Sequence, residues 1–131
     1  MIVVDTNILA YLYLPGEFTQ MAERLLEQDT DWHVPSLWKS EFRNILAGYL
    51  RRGMLSIDAA TMIMAEAESL LKDAEHDPSS EHVLRLVHES DCSAYDCEFV
   101  AVAQMLGTVL FSMDGKLLKA FPQVTKKLTR A

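Results

Sequence analysis

Short runs of apolar, β-branched residues alternate along this chain with longer segments of helical periodicity, and this alternation constrains the fold more than any other feature. The first run is Ile2–Val4, and the clearest later one lies in "GTVLFSMD", Gly107–Asp114. Strands separated by helices are typical of parallel sheets, because a parallel crossover needs a dozen or more residues. We therefore predict an α/β fold, a doubly wound parallel sheet with sites beyond the carboxyl ends of its strands.

The other elements follow from periodicity and from residues that begin or end helices. Helices are predicted at Thr6–Tyr13, Glu17–Gln28, Ser36–Arg52, Ser56–Lys72, Ser79–Glu89, Ser93–Leu106 and Gly115–Ala120. Further strands are predicted at Trp32–Pro35, near Asp73–His76 and around Val124–Leu128. There is no repeat, linker or low-complexity tract, so residues 1–131 are expected to form a single domain.

Composition narrows the classes of function. Half of the residues are apolar, which is typical of a globular chain, and the net charge of −7 argues against a generic nucleic-acid binder. That objection weakens if acids surround bound cations, which cancel their charge locally. Cys92 and Cys97 have no zinc-binding spacing and are expected to be buried free thiols. Without a signal peptide or an apolar run of about 18 residues, a cytoplasmic location is expected.

Four acids are candidates for a site, although each also has a local structural explanation. Asp5 and Asp114 directly follow predicted strands, where one could cap a helix and the other could begin a turn. Asp96 faces the apolar side of its helix, yet it could belong to a capping box with Ser93. Glu41 lies at the border of an apolar helix face, where a solvated glutamate is common.

Taken together, the four acids favour a metal site. The ends of parallel strands and the starts of the following helices share one rim, so the carboxylates would lie near each other and repel. A hard divalent cation relieves that repulsion, and Mg²⁺ or Mn²⁺ prefers oxygen ligands. The sequence has no HExxH, GxSxG or P-loop motif, and its four histidines are scattered.

Four segments, in order and over nearly the whole chain, resemble PIN-domain ribonucleases, and most closely the VapC-type toxins of toxin–antitoxin pairs. The segments are "VVDTNILAYL", "SEFRNILAGYL", "SAYDCEFVAVAQMLG" and "VLFSMDGKLLKAF". The resemblance implies a PIN-like α/β/α sandwich in which these residues form the metal-binding and catalytic quartet: Asp5, Glu41, Asp96 and Asp114. It also implies that Asn7 and Ser112 arrange the site.

The same resemblance implies an activity and partners. Metal-activated water would cleave RNA and leave a 5′-phosphate and a 3′-hydroxyl. The protein would be a homodimer inhibited by the C-terminal segment of an antitoxin. Neither Asp91 nor Glu98 can be assigned from the pattern, and Glu98 is expected to be solvated.

The basic residues give weaker predictions. Candidate phosphate contacts are Lys39, Arg43, Lys116 and Lys119, for each of which a solvated surface position is the alternative. The expected target is a loop or single-stranded RNA, since a shallow rim reaches splayed nucleotides more easily than a duplex interior. The segment "AATMIMAEA", 59–67, is apolar around most of its circumference. It is either a helix enclosed in the core or one whose Met62 and Met64 help to bind a partner helix.

Three other classes of protein are alternatives to a PIN-domain ribonuclease. A haloacid-dehalogenase-type phosphatase needs a second aspartate where this chain has Asn7, and a phospho-receiver domain needs an acid pair that is not visible. The remaining alternative is a catalytically silent PIN-like module that binds RNA or protein. The presence of all four acids counts against this alternative.

Overall fold

A computed structural model describes residues 1–130. Five short strands form one sheet, and seven helices connect them. The strands are β1 (Ile2–Val4), β2 (Trp32–Pro35), β3 (Glu75–His76), β4 (Leu110–Phe111) and β5 (Thr125–Lys126). The helices are α1 (Thr6–Tyr13), α2 (Thr19–Gln28), α3 (Trp38–Arg51), α4 (Ile57–Leu70), α5 (Ser80–His88), α6 (Ala94–Leu106) and α7 (Gly115–Ala120).

The sheet has the order β3-β2-β1-β4-β5, and every neighbouring pair is parallel. The central strand, β1, pairs through Val3 with His33 on one side and with Leu110 on the other. The chain first adds strands on one side of β1 and then on the other, so strand order reverses between β1 and β4. Ligands of open α/β sheets bind at such a reversal, outside the carboxyl ends of the strands.

Helices cover both faces of the sheet, as the predicted α/β/α sandwich requires. Side chains of a strand alternate between faces, so Val4 packs in one core and Val3 in the other. The first core lies beneath α1 to α4 and includes Trp38 and Phe42. The second lies beneath α5 to α7 and includes Phe99 and Leu110. The predicted α/β class and parallel sheet are confirmed.

The predicted strand at 107–114 is much shorter in the structure. Gly107 ends α6 in the left-handed conformation with φ of 65°, and the Thr108 amide bonds back to the Ala103 carbonyl. This helix-ending turn leaves only Leu110–Phe111 for pairing. Beyond the strand, the Asp114 amide donates to the Ser112 hydroxyl at 3.0 Å, which bends the backbone toward α7.

Helix α4 lies on the outside of the molecule, so, of the two alternatives for segment 59–67, the helix enclosed in the core is wrong. Ala60 and Ala67 are buried, whereas Ile57 and Met62 are each about two-thirds exposed. Met64 packs against the first core. Cys92 and Cys97 are free and buried, as predicted. Within residues 1–130, none of the helices combines the length and apolar character needed to cross a membrane.

Candidate active site

The four predicted acids line one cavity of about 220 Å³ at the carboxyl edge of the sheet. They come from four separate elements: Asp5 follows β1, Glu41 is in the first turn of α3, Asp96 is in the first turn of α6, and Asp114 precedes α7. We call this space the acidic cavity. Its other lining residues are Thr6, Asn7, Asn44, Ile45 and Phe99.

Two of the acids also cap helices: Asp5, for which local sequence predicted a cap, and Asp114, for which it predicted a turn. Asp5 Oδ1 accepts from the Ile8 amide at 3.1 Å, and Asp114 Oδ1 accepts from the Lys116 amide at 2.9 Å. A cap uses one oxygen of a carboxylate, so capping leaves the other oxygen for a ligand. The structural and functional interpretations of these residues are therefore compatible.

Hydrogen bonds hold the remaining acids in place. Glu41 Oε1 accepts from the Thr6 hydroxyl at 2.7 Å, a contact that links the start of α1 to α3. At α6 the Ser93 hydroxyl accepts from the Asp96 amide at 3.1 Å, which is the first half of a capping box. Each acid thus lies at the N-terminal end of a helix, where the helix dipole favours negative charge.

The acids of the cavity lie close together, and no ion pair compensates their negative charge. Burial raises the pKa of Asp5 from 3.8 to about 6; hydrogen bonds with Ser112 and Ile8 oppose this, and the charges of Asp114 and Asp96 add to it. Burial also raises the pKa of Glu41 and of Asp96, with further contributions from Asp96 and Asp114 respectively. No lysine, arginine or histidine among residues 1–130 forms an ion pair with any of the four.

The donor set fits a hard divalent cation. Four carboxylates face the cavity, and its lining includes neither a thiol nor an imidazole. Oxygen donors of this kind suit Mg²⁺ or Mn²⁺. The side chains do not form a closed ligand cage: across the described chain, no three His, Cys, Asp or Glu side chains are already arranged around a metal position. Side-chain adjustment would accompany binding.

The two residues predicted to arrange the site lie beside it. Ser112 is fully buried, and its hydroxyl bonds both Asp5 and the Asp114 amide. Asn7 is exposed at the rim of the acidic cavity. Four lining residues were not predicted as part of the site, namely Thr6, Asn44, Ile45 and Phe99. Thr6 directly follows Asp5 in the chain, and Asn44 lies one turn after Glu41, so helical spacing was the available signal.

The predicted phosphate contacts divide into two groups. Lys116 lies close enough to Asp96 that its charge lowers the pKa of that acid. Lys39 faces away from the acidic cavity, and its Nζ lies 3.6 Å from Glu68 and 4.0 Å from Glu75. Arg43 and Lys119 are exposed outside the cavity lining. The structure therefore does not bring these four side chains together.

The two unassigned acids differ from each other. Glu98 is half-buried, which contradicts the expectation that it is solvated. Burial raises its pKa, and the charges of Glu41 and Asp77 contribute. Glu98 is two positions after Asp96 on the same helix and is not among the residues that line the acidic cavity. Asp91 is exposed.

Comparisons with known proteins agree with this architecture. A family model described as the PIN domain matches residues 2–122. Ribonuclease VapC3 of Pyrobaculum aerophilum is 31% identical over 124 residues, covering 92% of this chain and 95% of that protein. The crystal structure of PAE2754 from Pyrobaculum aerophilum superposes with a TM-score of 0.77 at 24% identity, covering 96% of this chain and 89% of that chain.

A second solved structure has a similar fold at lower identity. A chain of a toxin–antitoxin complex from Klebsiella pneumoniae superposes with a TM-score of 0.68 at 18% identity, covering 96% of each chain. Structural likeness at this identity establishes fold alone. The family model and the 31% identical relative extend over most of the sequence, and the chain therefore belongs to the PIN domain family.

Proposed function

We propose that this chain is a metal-dependent endoribonuclease and the toxin of a toxin–antitoxin pair, acting as a single PIN-like domain. One observation carries the proposal: four carboxylates from four elements face one cavity and have no cationic partner within the described residues. Burying unpaired charges costs free energy, so a site of this kind is explained by a ligand that compensates them. The 31% identity to a protein named as a ribonuclease supports the choice of RNA.

In this proposal, Asp5, Glu41, Asp96 and Asp114 hold Mg²⁺ or Mn²⁺. The bound cation supplies Lewis-acid stabilisation of the phosphodiester and lowers the pKa of water. Thr6 orients Glu41 through its hydroxyl, and Ser112 orients Asp5. The Lys116 amide fixes Asp114. These bonds fix the acids before RNA arrives, which limits the reorganisation needed during the reaction.

The reaction class follows from what surrounds the acids. The cavity lining contains no serine, cysteine or histidine that could serve as a nucleophile. Hydrolysis by water then gives a 5′-phosphate and a 3′-hydroxyl, as the family resemblance implies. Attack by the neighbouring 2′-hydroxyl would instead give a cyclic phosphate, so end-group analysis of the products separates the two routes.

Cleavage of total RNA tests the proposal. The wild-type chain is expected to cut RNA in Mg²⁺ or Mn²⁺, to stop in EDTA, and to recover when the metal is restored. Asp96→Asn should abolish cleavage, whereas Asp91→Asn, an exposed acid before the same helix, should leave it intact. If wild type and Asp96→Asn cut equally, the site is wrong. If neither cuts and both bind RNA, the chain is a silent binding module.

Metal binding can be measured without RNA. A ligand that binds only the folded state stabilises it by about 2.7 kcal/mol at one hundred times its Kd. We therefore expect Mg²⁺ or Mn²⁺ to raise the Tm of wild type. Replacement of both Asp5 and Asp96 by Asn should remove that increase. An equal increase in the two proteins would show that the ion binds elsewhere.

The proposed partners are an antitoxin and a second copy of this chain, both in the cytoplasm. The structural neighbour from a toxin–antitoxin complex supports the first. Met54, before α4, and Ile57 and Met62, within it, are exposed apolar side chains and are our candidates for contact with an antitoxin helix. Light scattering tests the dimer. Co-purification with the product of a small neighbouring gene tests the antitoxin, and Met62→Lys should weaken that complex.

A further inference from the structure

A second cavity, of about 340 Å³, adjoins the acidic cavity. It lies between α1, the loop that follows α1, and α3. Asn7 and Ile45 line both cavities, so the two spaces meet at these side chains. We call the second space the tyrosine groove and define it by six of its lining residues: Asn7, Ala10, Tyr11, Phe18, Ile45 and Tyr49.

The tyrosine groove is aromatic, and its rings are held by specific contacts. The rings of Tyr11 and Phe18 lie 5.0 Å apart between centroids with an interplanar angle of 56°, a tilted pair that fixes both. The Thr19 hydroxyl donates to the Tyr11 carbonyl at 2.7 Å and accepts from the Gly16 amide at 3.0 Å, so the loop is fixed too. All three aromatic rings of the groove are half-buried. The groove is therefore formed before a ligand arrives.

A cation lies beside the last ring of the tyrosine groove. The guanidinium carbon of Arg52 is 4.8 Å from the centroid of the Tyr49 ring, which is a cation–π contact. Gly48 leaves room for it, because a Cβ at that position would lie 3.3 Å from Arg52 Nη1. No carboxylate among residues 1–130 forms an ion pair with Arg52. Its charge is available to a phosphate.

Helix α3 sets the order of these features. Glu41, Ile45 and Tyr49 are spaced by four residues and follow one face of the helix. At about 1.5 Å per residue, Tyr49 lies about 12 Å along the axis from Glu41, and Arg52 about 16 Å. The acidic cavity, the aromatic groove and a cation thus follow one another in a line.

We propose that the tyrosine groove binds a nucleobase of the single-stranded RNA whose phosphodiester lies at the acidic cavity, and that Arg52 contacts a phosphate further along that strand. This inference rests on the proposed function. Bases stack on aromatic rings while a basic side chain follows the backbone, which is how single-stranded nucleic acid is commonly bound. An apolar peptide would also contact the rings, but it gives no reason for an unpaired arginine at the far end.

Binding of two oligomers of equal charge tests the base contact. The probes are a fluorescent 12-nucleotide oligouridylate and an abasic ribose-phosphate oligomer of the same length, measured by anisotropy in the full-length Asp96→Asn background. The base-bearing oligomer should bind at least about fivefold more tightly, the factor corresponding to the weaker end of base–aromatic stacking. Equal affinity for the two oligomers would overturn the proposal.

Four variants locate the contact. Ala10→Phe, which fills the groove without removing a core side chain, should abolish the preference for bases, and Tyr49→Phe should retain it. Arg52→Gln should weaken the binding of both oligomers and reduce the salt dependence of that binding. Substitution of the adjacent residue, Arg51→Gln, should do neither. If Ala10→Phe leaves both affinities unchanged while its Tm matches that of the parent, RNA does not use the groove, and a protein segment remains its only candidate occupant.

The outcome separates this inference from the proposed function. Wild type that cleaves RNA, combined with equal binding of base-bearing and abasic oligomers, contradicts only the nucleobase contact. Wild type that cleaves no RNA contradicts the nuclease proposal. The base preference is still measured in that case, because binding is measured in a variant that does not need to cut.

Discussion

Carboxylates occupy two regions of this molecule with opposite surroundings. In the acidic cavity, Asp5 and its neighbours face one another, and none of the four forms an ion pair with a basic side chain among residues 1–130. Along the edge strand β3, Glu75 accepts from the Trp38 indole at 2.6 Å and also lies 4.0 Å from Lys39. Both regions lie beside α3. An acid with an ion pair of its own serves the fold, while clustered acids that form no ion pair indicate a site for an external cation.

Two histidines, His33 in β2 and His76 in β3, also have protein partners, as Glu75 does. His33 Nδ1 lies 2.9 Å from His76 Nε2, and His33 Nε2 lies 2.8 Å from Asp31 Oδ1. Both ring nitrogens of His33 therefore have a protein partner. Burial, followed by the charge of the neighbouring His33, lowers the pKa of His76, which favours the neutral form of His76.

The largest expected effect compares two glutamates, Glu41 in α3 and Glu75 in β3. Glu41→Gln should reduce RNA cleavage at least about 100-fold, because even residues that only orient metal ligands cost about 10- to 100-fold when mutated. Glu75→Gln should leave cleavage within about twofold of wild type. Initial rates in Mg²⁺ measure both. Equal losses in the two variants would show that the contrast between the regions has no functional meaning.

The next effect is a pH dependence of stability in metal-free protein. Folding raises the pKa of Asp5 from 3.8 to about 6, so the folded state binds more protons than the unfolded state between these values. The free energy of unfolding should therefore fall as pH rises through this range, by about 3 kcal/mol from this residue. Urea denaturation in EDTA measures it.

Asp5→Asn is the matched control for that titration, because its amide oxygen can still accept from the Ile8 amide. Its stability relative to wild type should increase as pH rises from 4 to 7. Adding Mg²⁺ at pH 7 should reduce the difference by stabilising wild type. Parallel stability profiles in EDTA would contradict the burial of a titrating carboxylate at this position.

A smaller effect is expected at the Trp38 indole. Trp38 is 1% exposed, and Glu75 accepts its hydrogen bond. Glu75→Ala leaves a buried donor without its partner and should cost about 1–3 kcal/mol, whereas Glu75→Gln keeps an acceptor oxygen and should cost less. Thermal unfolding of the two variants measures the difference. Equal losses would mean that the hydrogen bond contributes little.

The smallest effects separate two lysines. Lys39→Gln removes ion pairs whose side chains are each about one-third to one-half exposed, and should cost at most about 1 kcal/mol of stability with no change in RNA binding. Lys116 lies beside Asp96. Lys116→Gln should reduce the slope of the logarithm of RNA affinity against the logarithm of salt concentration by about 0.7–1. The reverse pattern would place the RNA path along β3.

Sequence periodicity was sufficient for the order and type of the elements, because helices and parallel strands alternate strongly along the chain. It was poorer at boundaries that side-chain bonds decide. Helix α2 begins at Thr19 instead of the predicted Glu17, since Thr19 bonds the Gly16 amide and the Tyr11 carbonyl. Helix α3 begins at Trp38 instead of Ser36. Strand β3 is limited to Glu75–His76, and Asp73 before it has a φ of 62°.

For the site, sequence predicted the acids but not their immediate neighbours. Asp5 and Asp114 follow strands, which is a local signal, and parallel topology then places them at one edge. The bond from Thr6 to Glu41 joins residues 35 positions apart, and such pairings depend on how helices pack. The tyrosine groove depends on packing in the same way, because α1 and α3 each contribute part of its lining.

The distribution of the four acids along the chain has a consequence for synthesis. Asp5 caps α1 and Asp114 caps α7, so helices α1 to α6 separate these two acids along the chain. A growing polypeptide therefore cannot assemble the full set of carboxylates until α7 has emerged from the ribosome. A fragment that stops before α7 holds at most three of the four carboxylates, however well its own helices form.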